Sequence, residues 1–285
     1  MDHKRPVVPF LLLTLVFSLP FYLALNLSGG RGEGMRLYVT GLMWCPALAA
    51  LIACRIAGQP LATLGWRWPR ARWLWLSFLL PIAYGLLVYV PVWVLGLGDF
   101  GAGDYGAYAG KMLGFASWPA WAHVLLMIAL QASAGLVLSG ASAVGEEIGW
   151  RGFLAPALIA RFGFTGGSLL TGLAWASWHV PVLFWLNYGE ETPRAFAMTC
   201  FTLSLVGISF VCSWLRLRTD SVWPAVMLHA SHNVFITPIF SMLTVANART
   251  PWAIDEFGFM LAIVSVALGA WAWSKRGEAV VAAAA

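Results

Sequence analysis

Eight stretches of about twenty mainly apolar residues follow one another along this chain, near 7–26, 36–56, 73–97, 119–144, 167–187, 195–215, 221–246 and 257–273. Each is long enough for a helix to cross the hydrocarbon core of a bilayer. Lipid offers backbone amides no hydrogen-bond partners, so apolar runs of this length satisfy themselves as helices. The fold class that follows is all-α: a polytopic membrane helix bundle with about eight transmembrane helices. A charged fraction of 10%, against 60% apolar residues, leaves little with which to build a soluble surface.

The formal net charge of +5 is scattered over loops. It gives no support for nucleic-acid binding and is read instead through the positive-inside rule. With both termini placed in the cytoplasm, most basic residues fall in cytoplasmic loops, among them Arg55, Arg67, Arg70, Arg72, Arg161, Arg216 and Arg218. The expected location is therefore a multi-pass integral membrane protein, of a bacterial plasma membrane, with cytoplasmic N- and C-termini. The partner expected from composition is the lipid bilayer.

Three units are expected: helices 1–3 in 1–115, a functional core of helices 4–7 in 116–246, and a last helix with a tail in 247–285. The fourth span is ambiguous, because helix-compatible sequence continues from about 121 to 161. Tilt, projection beyond the membrane, or a break near Gly140 or Gly145 would each accommodate it. The Gly-rich stretch 28–34 and the stretch 99–110 read as external loops. The four cysteines, Cys45, Cys54, Cys200 and Cys212, lie in apolar sequence without paired spacing and read as small core residues.

Ionisable residues within the spans are rare, and they collect in three of them. Gly145-Glu146-Glu147-Ile148-Gly149-Trp150-Arg151-Gly152 places two carboxylates and a guanidinium in an apolar helix. Such groups cost several kcal/mol in lipid unless they pair or line a wet cavity. Glu147 and Arg151 are four apart, share a helical face and can form an ion pair, whereas Glu146 points about 100° away. His179 follows Trp175 by four residues in a second span, and His229 and Asn233 share one stripe of a third. His232 lies on the other side of His229 and reads as a supporting residue. Together a carboxylate, two imidazoles and an amide suffice to hold and activate one water. The blander reading is a polar helix end for the Glu-Glu-x-x-x-Arg run and a hydrogen-bonded helix contact for His179.

These three segments resemble the motifs of the CPBP intramembrane proteases, the group of CAAX proteases and bacteriocin-processing enzymes. The run from Glu146 to Arg151 is similar to that family's Glu-Glu-x-x-x-Arg. Trp175 to His179 resembles its Phe-x-x-x-His with tryptophan replacing phenylalanine, and His229 to Asn233 resembles its His-x-x-x-Asn. The resemblance covers roughly residues 120–240, in order and spacing. It implies an endopeptidase acting on a peptide or protein substrate at the membrane, whether membrane-associated, prenylated or bacteriocin-like. Glu146 with His179 would activate water, and His229 with Asn233 would stabilise the oxyanion. Glu147, Arg151, Trp175 and His232 would support them. Zinc held by Glu146, His179 and His229 is the metal-dependent alternative to a metal-free glutamate mechanism. A proton-coupled transporter or a non-catalytic scaffold of the same fold would also bury such groups.

Overall fold

The structure, a computed structural model, describes residues 6–29, 34–101, 103–114, 118–185 and 191–279. The long helices are α1 (Val7–Ser28), α2 (Met35–Ile56) and α3 (Ala71–Val94). Then come α4 (Gly103–Leu113), α5 (Ala120–Leu130), α6 (Leu136–Glu147) and α7 (Ala155–Trp185). The chain closes with α8 (Arg194–Thr219), α9 (Trp223–Phe235), α10 (Thr250–Ala253) and α11 (Phe259–Ser274). The result is an all-α membrane bundle.

Among the described residues, six helical runs are long and apolar enough to cross a membrane, and α11 is a shorter apolar helix of 16 residues. The eight separate spans of the sequence reading are not resolved as such, because 120–185 runs as one helical stretch. It contains no break at Gly140 or Gly145. It widens instead into π-helical turns at Gln131–Gly135 and Ile148–Leu154 and changes direction at Gly163, where φ is 68° and ψ 174°. Only glycine adopts that conformation without strain. The stretch 99–110, read as a loop, instead holds a two-residue strand and the start of α4. That strand, β1 (Asp99–Phe100), pairs antiparallel with β2 (Thr244–Val245), Asp99 opposite Val245. Most of the 28–34 stretch and the alanine tail lie outside the described residues.

The outside of the bundle explains its solvent. On α1 alone Val8, Leu12, Val16, Leu19, Leu23 and Leu27 are exposed, while Phe10, Thr14, Ser18, Tyr22 and Leu25 point inward. So continuous an apolar face would promote aggregation in water and is natural against lipid tails. The interior is built by α1 beside α2 and α7, α3 beside α9, α8 beside α11, and α6 between α2 and α9. The four cysteines are buried, and none forms a disulfide among the described residues.

Candidate active site

The local sequence around the two glutamates dictates a close approach. A side chain at Gly145 would meet the Met43 carbonyl and the backbone of Trp44, and one at Gly149 would strike Pro46. Two glycines four apart thus make a smooth stripe on which α2 seats directly. With that face committed to packing, Glu146 lies about 100° and Glu147 about 200° round the helix from Gly145, and both are buried. The π turn that begins at Ile148 widens the helix where the polar groups emerge, as such turns do at many functional sites.

Glu147 and Arg151 are both fully buried and joined at 2.8 Å. Arg151 also lies over the Trp175 ring, 4.1 Å from its centroid. The same Glu147 Oε1 accepts a hydrogen bond from His229 Nδ1 at 2.9 Å. One carboxylate therefore balances the guanidinium and fixes the ring of a histidine from α9. An Nδ1–H committed to Glu147 leaves His229 Nε2 for other partners.

Glu146 behaves differently. Its Oε2 accepts the indole N–H of Trp175 at 2.6 Å and that of Trp150 at 3.3 Å. Both bonds fall on one oxygen, so Oε1 lies outside them. No cation pairs with Glu146 among the described residues. His179 donates Nδ1–H to the Trp175 carbonyl at 2.9 Å, which leaves its Nε2 uncommitted. The Trp175 ring touches both imidazoles edge-on, with centroids 6.0 Å from His179 and 5.5 Å from His229.

Glu146, His179, His229 and Asn233 all line one cavity of about 400 Å³. Its remaining wall is largely apolar, with Val182, Phe201, Leu205, Ile208 and Leu228 among the lining residues. The sequence candidates from three helices thus share a single chamber of the size that holds small ligands or a peptide segment. Trp175 and His232 line it directly, and Glu147 and Arg151 stand behind them through His229 and the Trp175 ring.

Three contributors were not found in the sequence. Trp150, four residues after Glu146, could have been found from helical spacing. Tyr84 and Glu256 could not, since they arrive from α3 and from the loop before α11. Tyr84 O–H donates to His232 Nδ1 at 2.5 Å, and His232 Nε2 donates to Glu256 Oε1 at 3.1 Å. Burial disfavours the charge on Glu256, but the His232 hydrogen bond and the surrounding imidazoles outweigh it and hold this carboxyl below the usual range. Glu256 lines the same cavity.

Zinc fits this arrangement poorly. No three His, Cys, Asp or Glu side chains among the described residues are gathered closely enough to hold an ion.

Comparison with known proteins bears on the same segment. Residues 127–235 match the family described as Rce1-like, type II CAAX prenyl endopeptidase. A curated relative, CAAX prenyl protease 2 of Methanococcus maripaludis, is 29% identical over 92 residues. That alignment covers 31% of this chain and 34% of the relative, so the match spans about a third of the length of each. The matched family segment holds Glu146, His179, His229 and Asn233, and ends before Glu256. Through that segment, which carries all three motifs, the chain is similar to the CAAX prenyl endopeptidase family.

Proposed function

We propose that this protein is an intramembrane endopeptidase that hydrolyses peptide bonds of membrane-associated substrates with a water activated by Glu146 and His179. The observation that carries the reading is the convergence of Glu146, His179, His229 and Asn233 on one largely apolar cavity. Glu146 Oε1 takes a proton from the water, whose second hydrogen bond goes to the unprotonated Nε2 of His179. The water oxygen then attacks the carbonyl carbon. The resulting oxyanion lies against the Asn233 amide and against Nε2–H of His229 in its imidazolium form, whose Nδ1–H is held by Glu147. Collapse breaks the C–N bond, and the proton held by Glu146 passes to the leaving amine.

The reading is metal-free, supported by a donor set that, among the described residues, is not gathered closely enough to hold an ion. Prenylated or bacteriocin-like peptides are the substrate classes proposed from the family and from a chamber whose wall is mostly hydrocarbon. The test is cleavage of a fluorogenic peptide panel, with prenylated and unprenylated members, by purified wild type and Glu146→Gln. Turnover by wild type and its loss in a folded Glu146→Gln is the expected result; equal turnover in both would sink the reading. Prolonged chelation should leave the wild-type rate intact, and a loss of activity restored by zinc would replace the metal-free route.

A further inference from the structure

A second cavity, of about 300 Å³, lies away from the catalytic chamber and is lined by Arg67, Trp68, Pro69, Arg70, Arg72, Trp73, Arg218 and Thr219. Two separate segments supply it: the connector entering α3 and the C-terminal end of α8. They are stapled together. Trp66 and Ser221 form an antiparallel bridge, Val222 N–H donates to the Gly65 carbonyl at 2.8 Å, and the Trp223 indole donates to the Trp66 carbonyl at 3.0 Å. Fixed backbone thus brings four arginines to one concave surface, where Arg72 lies over the Trp73 ring at 5.1 Å and Arg218 donates to the Glu278 carbonyl at 3.2 Å.

Among the described residues no carboxylate lines this surface, and the first turn of α3 carries no acidic residue. The nearest acid in sequence, Asp220, is engaged by Arg216 at 2.7 Å. Four like charges sharing one hollow repel one another unless an anion joins them. Around them stand tryptophans suited to the membrane–water boundary. Trp68 is 65% exposed and Trp75 62% exposed, while Trp68 packs on Trp223 at 5.3 Å and Trp73 on Trp214 at 5.6 Å. Guanidinium forks match phosphate oxygens in shape as well as charge. We propose that the pocket formed by Arg67, Arg70, Arg72 and Arg218 binds a phosphate group at the membrane interface. An anionic lipid headgroup and free phosphate offer the same chemistry.

The two sources are separated by measuring both on the full chain in detergent. One arm is native mass spectrometry with phosphatidylglycerol against phosphatidylcholine, and the other is thermal stabilisation by inorganic phosphate. Phosphatidylglycerol retained by wild type, and retained at least about tenfold less by the triple variant Arg67→Gln, Arg70→Gln, Arg72→Gln, is the expected result for a lipid site. Each basic side chain near an anionic surface contributes close to a factor of five. Stabilisation by millimolar phosphate in wild type but not in the variant would assign the pocket to the free anion. Equal binding of both lipids, with no response to phosphate, overturns the proposal. Should the triple variant prove unstable, Arg70→Gln alone, at an exposed position, decides through the same comparison.

Discussion

Two histidine–carboxylate pairs present their imidazoles to the candidate cavity, and they are built on opposite principles. His229 and Glu147 are 9% and 0% exposed, with Arg151 completing a wholly desolvated set of charges. His232 and Glu256 are 17% and 35% exposed and rely on a neutral Tyr84 hydroxyl for their third member. The first pair lies within the matched family segment, and the second reaches outside it. A desolvated pair is rigid because any other arrangement strands a charge. A partly wet pair can be rebuilt with water, so the first can fix a ring for catalysis while the second is free to tolerate different occupants.

The largest effect should come from breaking the desolvated set. Arg151→Ala leaves Glu147 buried without its cation and removes the group stacked on Trp175, at a cost of about 3–5 kcal/mol. Thermal unfolding in detergent should show the loss, and an unchanged melting temperature would show that the pair carries no structural weight. Replacing both members at once, with Glu147→Leu and Arg151→Met, sharpens the comparison. Two apolar side chains of similar volume should restore much of the stability, yet His229 would lose the acceptor of its Nδ1–H and turnover should stay low. Full activity in the stable double variant would mean that Glu147 supports the wall and does nothing for His229.

Next in size is the tryptophan that joins the two pairs' surroundings to the base. Trp175→Phe keeps a ring beside His179 and His229 but deletes the N–H that meets Glu146 Oε2 at 2.6 Å. A hydrogen bond to a charged group converts to about a tenfold to hundredfold change. It should appear in kcat with KM nearly unchanged, because the bond aims the base and does not touch the substrate. An equal loss in both constants would point to a collapsed cavity instead. Trp150→Phe, removing the longer bond at 3.3 Å, should do the same more weakly.

What was legible in the sequence follows the same division. Glu147–Arg151 and His229–Asn233 sit four apart on single helices, so helical phase predicted which groups share a face, and the Glu147–Arg151 contact at 2.8 Å is local. The Glu147–His229 bond joins residues 82 apart, and no periodicity reports it. Glu256 was hidden for another reason: it stands in a short loop beside an ordinary acidic neighbour, Asp255, and only the packing of that loop over α9 turns it inward. The bend at Gly163 was missed because glycine is frequent in membrane helices. A positive φ cannot be told from a packing glycine such as Gly149 by sequence alone. The apolar runs themselves were legible because lipid imposes one rule on all of them.

The smallest expected effect belongs to the wetter pair, and pH separates it from the buried one. Glu256→Gln preserves an acceptor for His232 and removes only the charge of a partly exposed pair, so it should cost no more than about 1 kcal/mol. Because the Glu256 carboxyl is held below the usual range in the folded protein, its contribution is fully present above the unfolded carboxylate pKa of about 4.3. It disappears as pH falls through the lower folded value. Melting curves of wild type and Glu256→Gln should therefore differ slightly at neutral pH and coincide in strong acid. A gap that persists at low pH would mean that the substitution acts through packing. A loss as large as that of Arg151→Ala would erase the distinction between the two pairs, and Glu256 would then have to be counted with the desolvated charges.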